Sequence, residues 1–124
     1  MIWVNIFAMQ LMVMGNAWFD AWKIEREWRI MHGLEGLIQG TVMLGMALIF
    51  GAGFWGKVSL FVFNLCLFWL QFDYILNFLR RKHWWHLGNN CFDKILKGYD
   101  RRWWRLALKI LLATVALVAT IIIN

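Results

Sequence analysis

Formal charge is confined to a few places along this 124-residue chain, and the gaps between them match the thickness of a bilayer. Apart from Lys57, every Asp, Glu, Lys and Arg falls within residues 20–35, at Asp73, or within residues 80–109. Four apolar stretches remain, about residues 2–19, 36–56, 58–79 and 106–123. A helix needs about 20 apolar residues, each rising about 1.5 Å, to cross roughly 30 Å of hydrocarbon. Each stretch is close to that length. The expected fold is an all-α membrane protein, a four-transmembrane-helix bundle forming one integral membrane domain over residues 1–124.

With four spans, both charged connecting segments (residues 20–35 and 80–105) emerge on one side. That side receives Lys23, Arg26, Arg29, Arg80, Arg81, Lys82, Lys94, Lys97, Arg101, Arg102, Arg105 and Lys109; the other receives only Lys57. Basic residues are retained on the cytoplasmic face of membrane proteins. The expected topology therefore has both basic segments in the cytoplasm and both termini outside it. No basic region precedes residues 2–19 and no small-residue cleavage site follows, so the first stretch reads as a retained span.

Composition narrows the class further. At 62% hydrophobic and 16% charged, the chain is too apolar for one soluble core. Its +6 charge sits beside apolar spans and among tryptophans, which favours anionic lipid headgroups at the inner leaflet over nucleic acid. Cys66 lies mid-span and Cys91 on the cytoplasmic side, so no disulfide is expected between them.

The first helix is expected to run from Ile2 to Met31, with Asn5, Met9, Met12, Asn16 and Asp20 along one inward face. The second begins after His32-Gly33, and Gly36-xxx-Gly40 allows close backbone approach to a neighbour. The third carries Asn64 and Gln71 on one side and Trp69, Asp73, Asn77 and Arg80 on another, which predicts a central place with partners on both sides. On the fourth, Lys109, Ala113, Ala116 and Thr120 form a packing seam. Between spans three and four, Leu87-Gly88 breaks the helix, and Asn89 or Asn90 can cap an interfacial amphipathic helix carrying Phe92, Ile95, Leu96 and Tyr99.

Asp20, His32, Glu35, Gln39, Asp73, Asn77, His83, His86 and Lys109 are expected at similar depth near the cytoplasmic surface. Three readings of this polar layer compete. In the first, His32, Glu35 and Asp73 bind a divalent metal (zinc, iron or manganese), since His-x-x-Glu places both side chains on one helical face. In the second, Glu35 and Asp73 pair with Lys109, Arg80 or His32 and fix helix register. In the third, basic residues hold a lipid headgroup or phosphate, the candidates being Arg80, Arg81, Lys82, Arg101, Arg102 and Lys109. An enzyme built here would use Glu35, Asp73, Asn77 and Arg80 as its catalytic set, Asn77 orienting the site and Arg80 holding the anion. His83-Trp-Trp-His86 reads as interface rather than haem ligation, and no Walker loop, dinucleotide fingerprint, nucleophile elbow or HExxH occurs.

The stretch Phe72-Asp-Tyr-Ile-Leu-Asn77-Phe-Leu-Arg80, followed by Leu87-Gly88 and Asp93, resembles a pattern in small uncharacterised bacterial and phage membrane proteins. In those, Asp-xxx-Asn-xx-Arg closes a membrane helix and Leu/Val-Gly leads into an Asp-containing amphipathic helix. The resemblance covers about half the chain. It implies a bacterial inner-membrane topology and a candidate site, without an activity. His86 stands where an aromatic is usual.

The function expected from all this is a structural, interaction or lipid-binding membrane subunit, as a homo-oligomer or within a membrane complex. The alternative is a metal-dependent membrane enzyme acting on a lipid or phosphorylated headgroup. A pore or holin-like assembly is the third class, and Asn5, Asn64 and Thr120 are too sparse to line its water path.

Overall fold

The computed structural model describes residues 2–26, 32–81 and 102–124, apart from the side chains of His32 and Arg102. Four helices make up nearly all of this: α1 (Ile2–Glu25), α2 (His32–Phe50), α3 (Gly53–Leu79) and α4 (Arg102–Ile123). There is no strand among the described residues. All four helices are long and apolar enough to cross a membrane. The expected interfacial helix after Leu87-Gly88, and the extension of α1 toward Met31, lie outside the described residues.

α3 is the hub. It packs against α1, α2 and α4, and α1 also meets α2. The central apolar cluster is assembled from Met9 and Val13 of α1, Met43 and Ala47 of α2, Leu60, Phe63 and Leu67 of α3, and Ala116 of α4. Residue size is distributed the opposite way to a water-soluble bundle. Ala17, Ala21, Ala47, Ala113 and Ala116 are buried, whereas Trp3, Phe7, Leu37, Ile49, Phe54 and Ile122 point outward. Small side chains inside let helix backbones approach, and large apolar ones outside suit lipid. The same surface in water would be one continuous association patch.

The α2–α3 connection differs from the expectation. Spans at 36–56 and 58–79 put Lys57 in the turn, but α2 ends at Phe50, Gly51 and Ala52 make the turn, and Lys57 lies inside α3. Glycine chemistry explains the shift. A Cβ on Gly51 would come within 2.7 Å of both the Ala47 carbonyl oxygen and the Lys57 Cα. Gly53 adopts φ +64°, a left-handed conformation that favours glycine. The turn can therefore close only there.

The close approach that Gly36-xxx-Gly40 allows is not used among the described residues: a Cβ at either position would meet nothing within 4 Å. The reason is visible in α2's burial, since its buried residues are Met43 and Ala47, both in the half nearer the turn.

α4 runs antiparallel to α3, and three contacts define its register. Lys109 meets Asp73, the Thr120 hydroxyl lies 3.1 Å from the Ser59 carbonyl oxygen as well as 2.7 Å from that of Ala116, and Asn124 Nδ2 donates to the Gly56 carbonyl at 3.3 Å. The seam Lys109, Ala113, Ala116 and Thr120 is buried along its whole length. At its end, Asn124 Oδ1 accepts from the Ala52 backbone N–H at 2.7 Å, so α4 ties down the α2–α3 turn. Ala52 has no side-chain cap of its own.

α1 is keyed to α3 by a pair of amides. Asn5 Nδ2 donates to Asn64 Oδ1 at 2.7 Å and Asn64 Nδ2 returns a bond to Asn5 Oδ1 at 3.2 Å, with both residues fully buried. Asn64 Nδ2 also lies 3.4 Å from the Met43 carbonyl oxygen of α2. One side chain thus touches three helices. Interhelical hydrogen bonds in apolar surroundings contribute about 0.6 kcal/mol on average, up to about 1.7, and an orphaned buried amide costs about 1–3 kcal/mol. Asn64→Leu should therefore destabilise the bundle by about 1–2 kcal/mol. The double variant Asn5→Leu/Asn64→Leu should lose less than the sum of the single losses. Thermal unfolding in detergent, followed by circular dichroism, measures both; strict additivity would show that the amides do not act as a pair.

Candidate functional site

Polar residues at helical spacing on α3 build the most enclosed charged site. Trp69, Asp73 and Asn77 recur one turn apart, and Tyr74 lies beside Asp73. α4 offers Lys109 to this face. Its ammonium lies 3.4 Å from Asp73 Oδ2, 5.1 Å from the Trp69 ring centroid and 4.9 Å from that of Tyr74. Lys109 is only 2% exposed, so it is drawn into the bundle and does not reach the surface along its stem. Two aromatic faces and one carboxylate replace its water. Cation–π contacts contribute about 2 kcal/mol or more each when desolvated, which offsets part of the burial penalty.

Asp73 is less enclosed, its side chain retaining 22% exposure. The pair is therefore asymmetric, with the cation sealed and the anion partly open. Asn77, one turn on, is buried and engaged in polar interactions of its own. Arg80 caps α3, its backbone N–H donating to the Leu76 carbonyl at 3.0 Å, and its side chain is half-buried. Arg81 is exposed and takes φ +55° where the chain leaves the helix.

The second charged site joins α1 to α2. Lys23 donates to Glu35 Oε1, and both side chains are largely buried. Lys23 also stands over the Phe19 ring, 4.3 Å from its centroid. The partners expected for Glu35 were Lys109, Arg80 or His32; the structure gives it Lys23 instead, across the α1–α2 pair.

The expected polar layer is thus served by two different lysines, one per helix pair. Glu35 is committed to Lys23 and Asp73 to Lys109. Among the described residues no three His, Cys, Asp or Glu side chains gather into a group that could hold a metal. The side chains of His32 and Arg102, and all of Lys82, Arg101, His83 and His86, lie outside the described residues. The metal set His32, Glu35 and Asp73 and the headgroup set Arg80, Arg81, Lys82, Arg101, Arg102 and Lys109 are therefore visible only in part. Of the headgroup candidates, Lys109 is sealed inside and Arg81 is open.

Asn5 and Asn64 are the pairing that sequence reading missed. Both were placed on polar faces, but nothing local reveals that they share a depth, because the offset of α1 along α3 depends on the intervening hairpin. Gln71 is a related case: its Oε1 is buried, on the Asn64 side of α3, with no hydrogen-bond donor among the described residues.

Fold and site together define an all-helical chain of four apolar helices, long enough to cross a membrane and cross-linked by buried polar pairs. Compared with protein-family models, curated proteins and solved structures, the chain matches none.

The asymmetry of the α3–α4 pair has a measurable consequence. Asp73→Asn leaves a positive charge sealed among aromatics, whereas Lys109→Met leaves a carboxylate that is partly open to solvent. Breaking a buried pair costs about 3–5 kcal/mol when the orphaned charge stays enclosed. Asp73→Asn should therefore approach that loss, and Lys109→Met should fall below about 2 kcal/mol. Equilibrium unfolding in mixed micelles gives both values, and equal losses would contradict the asymmetry.

Proposed function

We propose that this chain is a small multi-pass membrane protein that acts as a structural and interaction subunit of the bacterial inner membrane, with both termini outside the cytoplasm. One observation carries the reading: the carboxylates of Glu35 and Asp73 are each spent on an internal lysine pair, while the outward-facing side chains of the four helices are mostly large and apolar. A carboxylate neutralised by a neighbouring ammonium is occupied with holding helices and is a poor open ligand or base.

The orientation follows from where the cations fall along the bundle. Among the described residues, Lys23, Arg26, Arg80, Arg81, Arg105 and Lys109 belong to one end, and Lys57 alone lies near the α2–α3 turn at the other. The positive-inside rule puts the first end in the cytoplasm. Reporter fusions at residues 1 and 124 should both behave as external, and a cytoplasmic signal from either would overturn this orientation.

The open glycines supply the interaction part. Among the described residues a Cβ at Gly36 or Gly40 would have no neighbour, so a helix from another subunit can approach them at backbone distance. Gly36→Leu should leave thermal stability within about 0.5 kcal/mol, since its Cβ meets nothing, while reducing the oligomer size. Size-exclusion chromatography with light scattering reads the second quantity; an unchanged mass would remove α2 as the contact.

A further inference from the structure

Sulfur is concentrated where α1 and α2 meet the core. Met9 and Met43 are buried members of the central cluster, and Met12 and Met46 pack against it from the same two helices. Of the methionines among the described residues, only Met14 points outward, at 56% exposure. We propose that Met9, Met12, Met43 and Met46 form a binding site for a soft monovalent metal ion, copper(I), with silver(I) as its chemical analogue. The site goes beyond the structural and interaction reading above and does not depend on it.

Spacing and direction bring the thioethers together. Met9-xx-Met12 and Met43-xx-Met46 each put two side chains on one helical face. Asn64 bonds to Asn5 and lies against the Met43 carbonyl, which sets the stretch of α1 just after Asn5 beside Met43 of α2. The Lys23–Glu35 pair joins the end of α1 to the start of α2, so the two helices run antiparallel. Helical side chains lean toward the N-terminus of their own helix. Met9 and Met12 therefore lean toward the level of Asn5, Met43 and Met46 lean the other way, and the two pairs lean toward each other.

The ligand type selects the ion. Thioethers are neutral and polarisable, and soft sulfur favours copper(I), whereas zinc, iron and manganese take imidazole, thiolate or carboxylate. No His, Asp or Glu belongs to this cluster. A single positive charge is also the least costly to bury among neutral groups. Leucine would fill the same space, so packing alone does not require sulfur at these four positions. Cys66 packs against the cluster as well, but it lies on the opposite side of α3 from the Asn64 amide, away from the facing methionine pairs.

The test uses the full chain in chloride-free detergent solution with silver(I), and separately with copper(I) held by a competing chelator under reducing conditions. Native mass spectrometry reads the stoichiometry and the chelator competition reads the affinity. The expected result is one ion per chain, bound about tenfold more weakly in Met9→Leu or Met43→Leu and unchanged in Met14→Leu and Cys66→Ser. Circular dichroism checks that the leucine variants keep their helices. Met12→Leu and Met46→Leu, at less buried positions, give the same reading if a core variant fails to fold. X-ray absorption of the loaded wild-type chain supplies a readout free of mutation: sulfur neighbours alone are expected. An ion not retained by the wild-type chain, retention undiminished in the Met9→Leu/Met43→Leu double variant, loss in Cys66→Ser, or nitrogen and oxygen neighbours around the metal would each overturn the proposal.

Discussion

A polar group inside an apolar helix must be satisfied from within the chain, because neither lipid nor a packed core will do it. In this protein most of those partners are reached across α3. Asn64 engages Asn5 of α1 and the Met43 carbonyl of α2, Asp73 engages Lys109, and the Ser59 and Gly56 carbonyls receive Thr120 and Asn124. The other three helices are held at fixed heights by these bonds, since apolar packing alone tolerates sliding. Knobs of Leu60, Phe63 and Leu67 fill the space between helices, and the polar contacts decide which knob faces which hole.

Much of this was legible in the residues. The four apolar runs marked the helices, and two polar faces on one helix marked α3 as central. The stripe of Lys109, Ala113, Ala116 and Thr120 marked the seam of α4, because each is a periodicity that a helix converts directly into a face. What depends on relative height was not legible. The Asn5–Asn64 pair, the choice of Lys23 for Glu35 and the clamp at Asn124 all rest on how far each helix is displaced along its neighbour. The turn at Gly51–Ala52 was misplaced for a related reason. Hydropathy runs unbroken through Phe54 and Trp55, and only backbone conformation at Gly53 tells where the chain reverses.

The two lysine–carboxylate pairs are built differently, although both bridge neighbouring helices. Lys23 keeps one Phe19 ring beneath it, sits in the last turn of α1 and retains 14% side-chain exposure. Lys109 has two rings and a carboxylate around it and almost no exposed surface, so its neighbours must supply what hydration would. Trp69 and Tyr74 therefore serve α3 twice: each is an apolar surface for packing, and each is an electron-rich face that makes a buried cation tolerable. This arrangement lets α4 carry a charge through its packing seam without opening the seam to solvent.

The amide pair also bears on the order in which the chain is made. α1 precedes α3 in the chain, and Asn5 lies 59 residues ahead of its partner. Until α3 has been synthesised, Asn5 lacks the amide it is paired with. Locking of α1 against α3 therefore waits on a helix delivered two elements later. A nascent chain arrested before residue 64 would hold an apolar helix with an unfilled amide, a species open to capture by any other polar helix.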